Sequence, residues 1–427
     1  MNAGEHNPLG NRRSLSLNQM LWYSVANLGY GMFFSLNNAL IAPFLGDYTK
    51  NAVVLGLMGS THSVEGALIQ PLVGSWSDRL RTRLGRRRPF ILFFTPISAL
   101  LLAFTPAATH LSGSIRLMTL VALIFLFTVL FNIAFDPYQA LMPDITPESQ
   151  RGRVTAVWSF VGLIGQASIL LFPFSISLKF VLVAVMMVCS ALVTCYFTPE
   201  PIGNLSEHTL SYGKQLTLAL RGIRTLKQAR NGLIVFFLSG VGIGAVLPFL
   251  TEFVLHITHC TKYQAGLMFL ALMASTAIGV LPAGRLTDKF GPKQALFVGF
   301  ALVIFASLNG LWITTLTQFT LTMVIAGLGN AAMSAASYPL LTDLVPGEEV
   351  GFYTGLQSTA QSIAQPLTVT VTGILINQGH GAYRWIFVVC VISLVLAMAL
   401  LAAVRPELAS EEIERHLNIQ REGMTAG

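Results

Sequence analysis

The chain has 427 residues, 53% hydrophobic and 11% charged, with a formal net charge of +7 and a mean hydropathy of +0.66. A soluble domain carries about 25% charged residues, so a soluble globular protein is excluded. The apolar runs are continuous rather than alternating, which excludes a β-barrel. They also hold glycine and proline, which membrane helices tolerate. The composition therefore predicts an all-α polytopic membrane protein.

In chain order the hydropathy predicts twelve spans, at 19–45, 53–76, 89–108, 116–140, 153–173, 177–197, 232–255, 263–286, 293–314, 318–341, 352–377 and 383–404. They divide into a six-helix bundle at 1–197, a linker at 198–231, a second six-helix bundle at 232–404 and a tail at 405–427. Within the linker, Leu210 to Lys227 has the pattern of an interfacial amphipathic helix with Lys214, Arg221, Arg224 and Lys227 on its wet side. The tail after Arg405, with Glu407, Glu411, Glu412 and Glu414, reads as a short soluble helix.

The basic residues set the expected orientation. Of the 26 lysines and arginines, 21 fall on the termini and the connections that share their side, and 5 on the other side. The positive-inside rule predicts a multi-pass cell-membrane protein with both termini in the cytoplasm. The densest basic connection runs Gly74-Ser75-Trp76-Ser77-Asp78-Arg79-Leu80-Arg81-Thr82-Arg83-Leu84-Gly85-Arg86-Arg87-Arg88-Pro89.

That connection has a partner in the second half, Gly284-Arg285-Leu286-Thr287-Asp288-Lys289-Phe290-Gly291. A second repeat pairs Met142-Pro143-Asp144 at the end of the fourth span with Leu341-Thr342-Asp343 at the end of the tenth. At the same spacing Gly152 meets Gly351, Ser159 meets Ser358 and Gln166 meets Gln365. Two homologous halves facing one another would build a central cavity and give alternating access by rocking. The duplicated turns then read as gates. Gly74 and Gly284 would admit a neighbouring helix closely. Asp78, Asp144, Asp288 and Asp343 would accept bonds from helix ends or from Arg79, Arg86, Arg87 and Arg151, with Gly85 in the turn. Orientation alone is the other reading of these charges.

The twelve-span pattern with Gly-x-x-x-Asp-Arg and Gly85-Arg86-Arg87-Arg88-Pro89 resembles the major facilitator superfamily. The extended loop and the phrase Pro137-Tyr138-Gln139-Ala140-Leu141-Met142-Pro143-Asp144 are similar to the sucrose–proton symporters and their glycoside–cation relatives. The resemblance implies a carrier for a sugar or glycoside coupled to a proton. It also implies two departures. Gln139 stands where the plant symporters carry arginine, and their membrane aspartate falls near Thr128, with Asn132 a turn below. Proton coupling then falls to another carboxylate.

Ionisable residues at membrane depth are functional candidates by default. Glu65 lies near the middle of span 2, with His62 a turn earlier on the same face. The pair reads as a proton site, a solute contact or a neutral interhelical bond. Asp136, near the end of span 4, reads as a second proton site, part of the inner gate or a structural bond, and Glu252 as a group snorkelling to the interface. Asn37, Asn38, Gln70, Asn132, Gln166 and Asn330, with the stripe Gln357, Gln361 and Gln365 on span 11, supply amides suited to hydroxylated solutes. Tyr30, Phe34, Trp158 and Trp312 offer stacking surface. Interhelical packing is the alternative for each taken singly.

The sequence has no Walker lysine motif, no metal-ligand spacing and no nucleophile with a matched base. No enzymatic activity, cofactor, metal or nucleic-acid partner is expected, and a functional monomer in the lipid bilayer is. The run Gly240-Val241-Gly242-Ile243-Gly244 lies inside an apolar span and reads as close helix packing. Two alternatives to the sugar carrier stay open: a carrier of an amphipathic drug-like compound, and a non-transporting membrane sensor.

Overall fold

In the computed structural model the described residues are 14–61, 69, 73, 76–77, 80, 82–147, 150–198, 200, 226–346, 350–379 and 382–414. Among them the only extended pairing is an isolated bridge between Thr82 and Gly85, and everything else regular is helical. Ten helices are long and apolar enough to cross a membrane: span 1 (Leu17–Leu45), span 3 (Arg88–His110), span 4 (Gly113–Ile145), span 5 (Arg151–Leu171), span 6 (Ile176–Phe197), span 7 (Lys227–Thr258), span 8 (Lys262–Phe290), span 9 (Pro292–Gly310), span 10 (Leu316–Thr342) and span 12 (Trp385–Ala403). Span 11 (Val350–Gln378) is 29 residues long and carries the glutamine stripe. Span 2 is described over Ala52–Gly59 and at helical positions as far as Ser77. Among the described residues the molecule is thus an all-α membrane protein with ten such spans, to which span 11 and the described part of span 2 are added.

Local chemistry explains several helix starts. Spans 1, 8 and 10 open on capping boxes, Ser16 with Gln19, Thr261 with Gln264 and Thr315 with Gln318. In each, the hydroxyl accepts from the third backbone amide and the glutamine side chain returns to the cap amide, which satisfies donors that a helix end leaves open. Two spans are interrupted. Span 1 carries a π-helical turn at Leu36–Leu40. Span 7 breaks at Leu247–Phe249, a 3-10 turn containing Pro248, because proline cannot donate to the ladder.

The chain folds as two compact units, Met1–Thr49 with Met58–Asn204, and Lys50–Leu57 with Leu205–Gly427. The two units repeat one packing plan. In the first, span 1 packs on spans 5 and 6, and span 3 on spans 4 and 6. In the second, span 7 packs on spans 11 and 12, and span 9 on spans 10 and 12. Adding six to each number converts one plan into the other, as expected for homologous halves.

Unit 1 has an aromatic core. The Tyr23 hydroxyl donates to the Tyr138 carbonyl at 3.2 Å, and the Tyr138 hydroxyl donates to the Tyr23 carbonyl at 3.0 Å, with the rings stacked at 5.0 Å. In unit 2, Gly240 and Gly244 let span 7 approach the backbone of span 11. A Cβ on Gly240 would lie 3.1 Å from the Gln361 Cα, and one on Gly244 3.2 Å from the Gln365 Cα. The opening of span 2 belongs to this unit too: Ala52 N–H donates to Asn377 Oδ1 at 2.9 Å and Asn377 Nδ2 to Asn51 Oδ1 at 3.0 Å. Large apolar side chains such as Phe160, Ile278, Leu281 and Leu321 stay exposed, as helices facing lipid allow.

The tail is not a free helix. Residues 406–414 are helical, and Ala409 is buried in the core of unit 2 with Ile413 packed against that core. Glu412 accepts from the Gln228 amide at 2.9 Å, and Gln228 Oε1 accepts from the Arg405 amide at 2.9 Å. A carboxylate therefore sits on the N-terminus of span 7, where the helix dipole favours it.

Candidate functional site

Two constellations in unit 1 hold most of the described candidates. The first lies at the start of span 3. Gly85 has φ of 101°, a conformation that glycine adopts without the Cβ penalty. The turn aims the next three backbone amides at Glu200. Arg86 N–H donates to Glu200 Oε1 at 3.0 Å, Arg87 N–H to Oε2 at 2.9 Å and Arg88 N–H to Oε2 at 3.3 Å. Glu200 is only 7% exposed. A buried carboxylate on a helix N-terminus meets the open donors of the first turn and its partial positive charge.

The side chains of the same arginines turn to Asp144 at the end of span 4. Arg86 reaches Asp144 Oδ1 at 2.7 Å, and Arg87 Nε reaches Asp144 Oδ2 at 3.3 Å. Arg86 Nε also lies 3.8 Å from Glu200 Oε1. Arg87 further donates to the Ser77 hydroxyl, and Arg88 to the Cys195 carbonyl near the end of span 6. Three arginines and two carboxylates thus tie spans 2, 3, 4 and 6 of unit 1 at one end. Gly85, Arg86, Arg87 and Asp144, singled out from the sequence, are brought together here. Glu200 escapes a reading based on spans because it lies just past span 6. Its signal is the repeat of Pro199-Glu200 after span 6 as Pro406-Glu407 after span 12.

The second constellation surrounds the π-helical turn of span 1. Such a turn inserts a residue into the helix and re-aims its neighbours, often at functional sites. Asn37 is buried, and its Nδ2 donates to Thr61 Oγ1 of span 2 at 3.2 Å. Thr61 Oγ1 lies 3.3 Å from Thr128 Oγ1 of span 4, whose hydroxyl donates back to the Ile124 carbonyl at 2.8 Å. At Thr128, then, this chain places a neutral hydroxyl inside a chain of hydrogen bonds. Asn132, a turn further along span 4, is fully buried, and Asp136 is half-buried. From Gly29 to Gly46 only Phe34 and Asn38 escape full burial. They are four residues apart and share one helix face. The Phe34 ring rests edge-on against Phe131 and Phe135.

Other candidates are placed differently from expectation. Tyr30 offers no free stacking face: it is 0% exposed, its hydroxyl lies 3.0 Å from Thr95 Oγ1, and Phe131, Phe135 and Tyr138 enclose its ring. Trp312 lies exposed beyond the end of span 9. Glu252 is buried rather than snorkelling to an interface. Gly284 admits no helix, since a Cβ there would meet nothing within 4 Å. Gln166 and Gln361 are half-buried and Gln357 is buried. Trp158 is half-buried, and its carbonyl accepts from Asn27 Nδ2 at 2.8 Å. Arg151 opens span 5. Asn330 lines a cavity inside unit 2. Asp288 and Asp343 are exposed, and among the described residues neither forms an ion pair. Partial desolvation raises the Asp343 carboxyl above its ordinary range. His62, Glu65, Gln70, Gly74, Asp78 and Arg79 lie outside the described residues. Among the described residues no group of histidine, cysteine and acidic side chains has the makings of a metal site.

Comparison with known proteins places this architecture. The profile of the Major Facilitator Superfamily matches residues 23–230 and 232–419, a division that follows the two repeated halves. The chain is 20% identical over 387 residues to the isoprimeverose transporter of Lactiplantibacillus pentosus, covering 84% of this chain and 79% of that one. It is 26% identical over 204 residues to the sucrose transport protein SUC3 of Arabidopsis thaliana, covering 39% of this chain and 34% of that one. In fold it is similar to the crystal structure of the nucleoside transporter NupG, with a TM-score of 0.71, 11% identity, and 90% and 99% of the two chains covered. With the repeated packing plan and the profile match over nearly its whole length, the chain belongs to the Major Facilitator Superfamily and is a membrane transporter rather than an enzyme.

Proposed function

We propose that the protein carries a sugar or glycoside together with a proton by alternating access, as a functional monomer with both termini in the cytoplasm. The observation that carries this reading is the hydrogen-bonded chain Asn37–Thr61–Thr128 beside the π-helical turn, with Asn38 and Phe34 the only incompletely buried positions between Gly29 and Gly46. A hydroxylated solute needs both donors and acceptors, which asparagine supplies, and an apolar ring face, which Phe34 supplies. The likeness to transporters named for isoprimeverose and sucrose supports the solute class. Thr128 is neutral, so the proton falls to Glu65, four residues after Thr61 and on its helical face by spacing, with His62 beside it and Asp136 as the second carboxylate.

The Arg86–Arg87–Asp144–Glu200 cluster acts in this reading as the inner gate of the first half. Its charges are mutually neutralised when the helix ends are together, and separating them strips buried partners. The 21-to-5 division of basic residues supports the orientation.

The test is uptake of labelled disaccharides into proteoliposomes with and without an inward pH gradient. Wild type is expected to accumulate solute only with the gradient. Glu65→Gln should abolish accumulation while leaving counterflow exchange. Asn38→Ala should raise the half-saturating concentration about tenfold, the loss of one to two neutral hydrogen bonds. Undiminished gradient-driven accumulation in Glu65→Gln removes Glu65 from the coupling role.

A further inference from the structure

Unit 2 contains a cavity of about 90 Å³ that the sugar reading does not use. It is partly open, and spans 7, 8, 9, 10 and 12 line it. Its walls are mainly aliphatic and aromatic, among them Leu250, Met323 and Phe387, and no charged side chain lines it. Of its polar side chains, Ser307 donates to Cys390 Sγ at 3.3 Å and Thr322 to the Gln318 carbonyl at 2.9 Å. Asn330 differs from both: among the described residues its amide makes no hydrogen bond. The space exceeds one water, and its mainly apolar walls favour a small apolar occupant over water.

The geometry points to a second ligand site here, for a small apolar molecule bearing one hydrogen-bonding group such as a hydroxyl or amide. The apolar wall supplies the affinity, and the Asn330 amide fixes the orientation. A sugar is excluded, because most of its hydroxyls would be buried without partners. A charged ligand is excluded because no counter-charge lines the walls. The site also adjoins the discontinuity of span 7: Val246, Leu247 and Leu250 line it, and the 3-10 turn Leu247–Phe249 is the break itself. A molecule filling the cavity braces that break against spans 9 and 12.

The experiment is ligand-observed saturation-transfer NMR on the full chain in lipid nanodiscs, with benzyl alcohol and its hydroxyl-free counterpart toluene, against empty nanodiscs. Saturable binding of both probes to wild type is expected. Ala306→Phe, which fills the cavity, should abolish it. Asn330→Leu should weaken benzyl alcohol about fivefold, the worth of one neutral hydrogen bond, and leave toluene within about twofold. The Asn330→Leu comparison stands on its own where Ala306→Phe fails to fold. Signals that never saturate, signals that match empty nanodiscs, or an unchanged benzyl alcohol to toluene ratio in Asn330→Leu would overturn the site. Failure of sugar uptake leaves it untouched, since neither probe is a sugar.

Discussion

In the first half, span 2 is helical at Ser77 and span 3 begins at Arg88, and the chain between them carries enough arginines and reach to meet Asp144 and Glu200. In the second half, Phe290 ends span 8 and Pro292 begins span 9, with Gly291 alone between them. Lys289 stays over the Phe290 ring, Asp343 stays exposed, and Lys293 donates to the carbonyls of Ala402 and Val404 at the end of span 12. The duplicated signature thus has one engaged copy and one open copy among the described residues. The difference is loop length and charge supply: a one-residue connection cannot carry two guanidinium groups across to the next helix end. One contact survives in both halves, a basic residue at the start of span 3 or 9 donating to the last turn of span 6 or beyond span 12, through Arg88 or Lys293. It complements the negative end of a helix and does not depend on the loop.

This asymmetry can be broken experimentally. The largest effect is expected from Glu200→Ala, which leaves three backbone amides without their acceptor and removes the carboxylate 3.8 Å from Arg86 Nε. A loss of about 3–5 kcal/mol is expected, whereas Glu407→Ala at the matching exposed position should stay within about 0.5 kcal/mol. Denaturant unfolding in detergent compares the two, and equal losses would erase the distinction between the halves.

Asp144→Asn should follow, at about 1–3 kcal/mol, because both Arg86 and Arg87 lose a charge-assisted bond at a mostly enclosed carboxylate. Its repeat counterpart Asp343→Asn breaks no ion pair among the described residues and should not destabilise the protein by the same measurement.

The smallest effect is a pH dependence. Leu344 and Val345 after Asp343 are buried, and desolvation raises the Asp343 carboxyl above its ordinary value of 3.8. A raised carboxyl binds its proton more tightly in the folded chain. Its contribution to stability is therefore complete below 3.8 and lost as the pH rises through the raised value. Unfolding midpoints of wild type and Asp343→Asn compared across the acid range should diverge with that sign, and parallel curves would show the desolvation to be without consequence.

Several features were legible without coordinates because they depend on local or one-dimensional patterns. The spans follow from hydropathy, the repeat from residues kept at one spacing, and the capping boxes Ser16-x-x-Gln19, Thr261-x-x-Gln264 and Thr315-x-x-Gln318 from three-residue chemistry. Arg86, Arg87 and Asp144 were legible as partners because opposite charges at helix ends on one side of a membrane have few other places to go.

What the sequence determined alone is therefore the class, the span order, the duplication and the charge inventory, since each is fixed by composition and spacing. Tertiary structure decided which members of that inventory meet. It enclosed Tyr30, expected to stack on a solute, among Phe131, Phe135 and Tyr138. It drew Glu200 from beyond span 6 onto the amides of span 3, and docked the tail through Ala409 and Glu412 instead of leaving it in solvent. It also left Gly284, read as a close-packing position, facing open space. Contacts of this kind join residues about a hundred to nearly two hundred positions apart, and they depend on the rotation and length of each helix, which periodicity in one dimension does not encode.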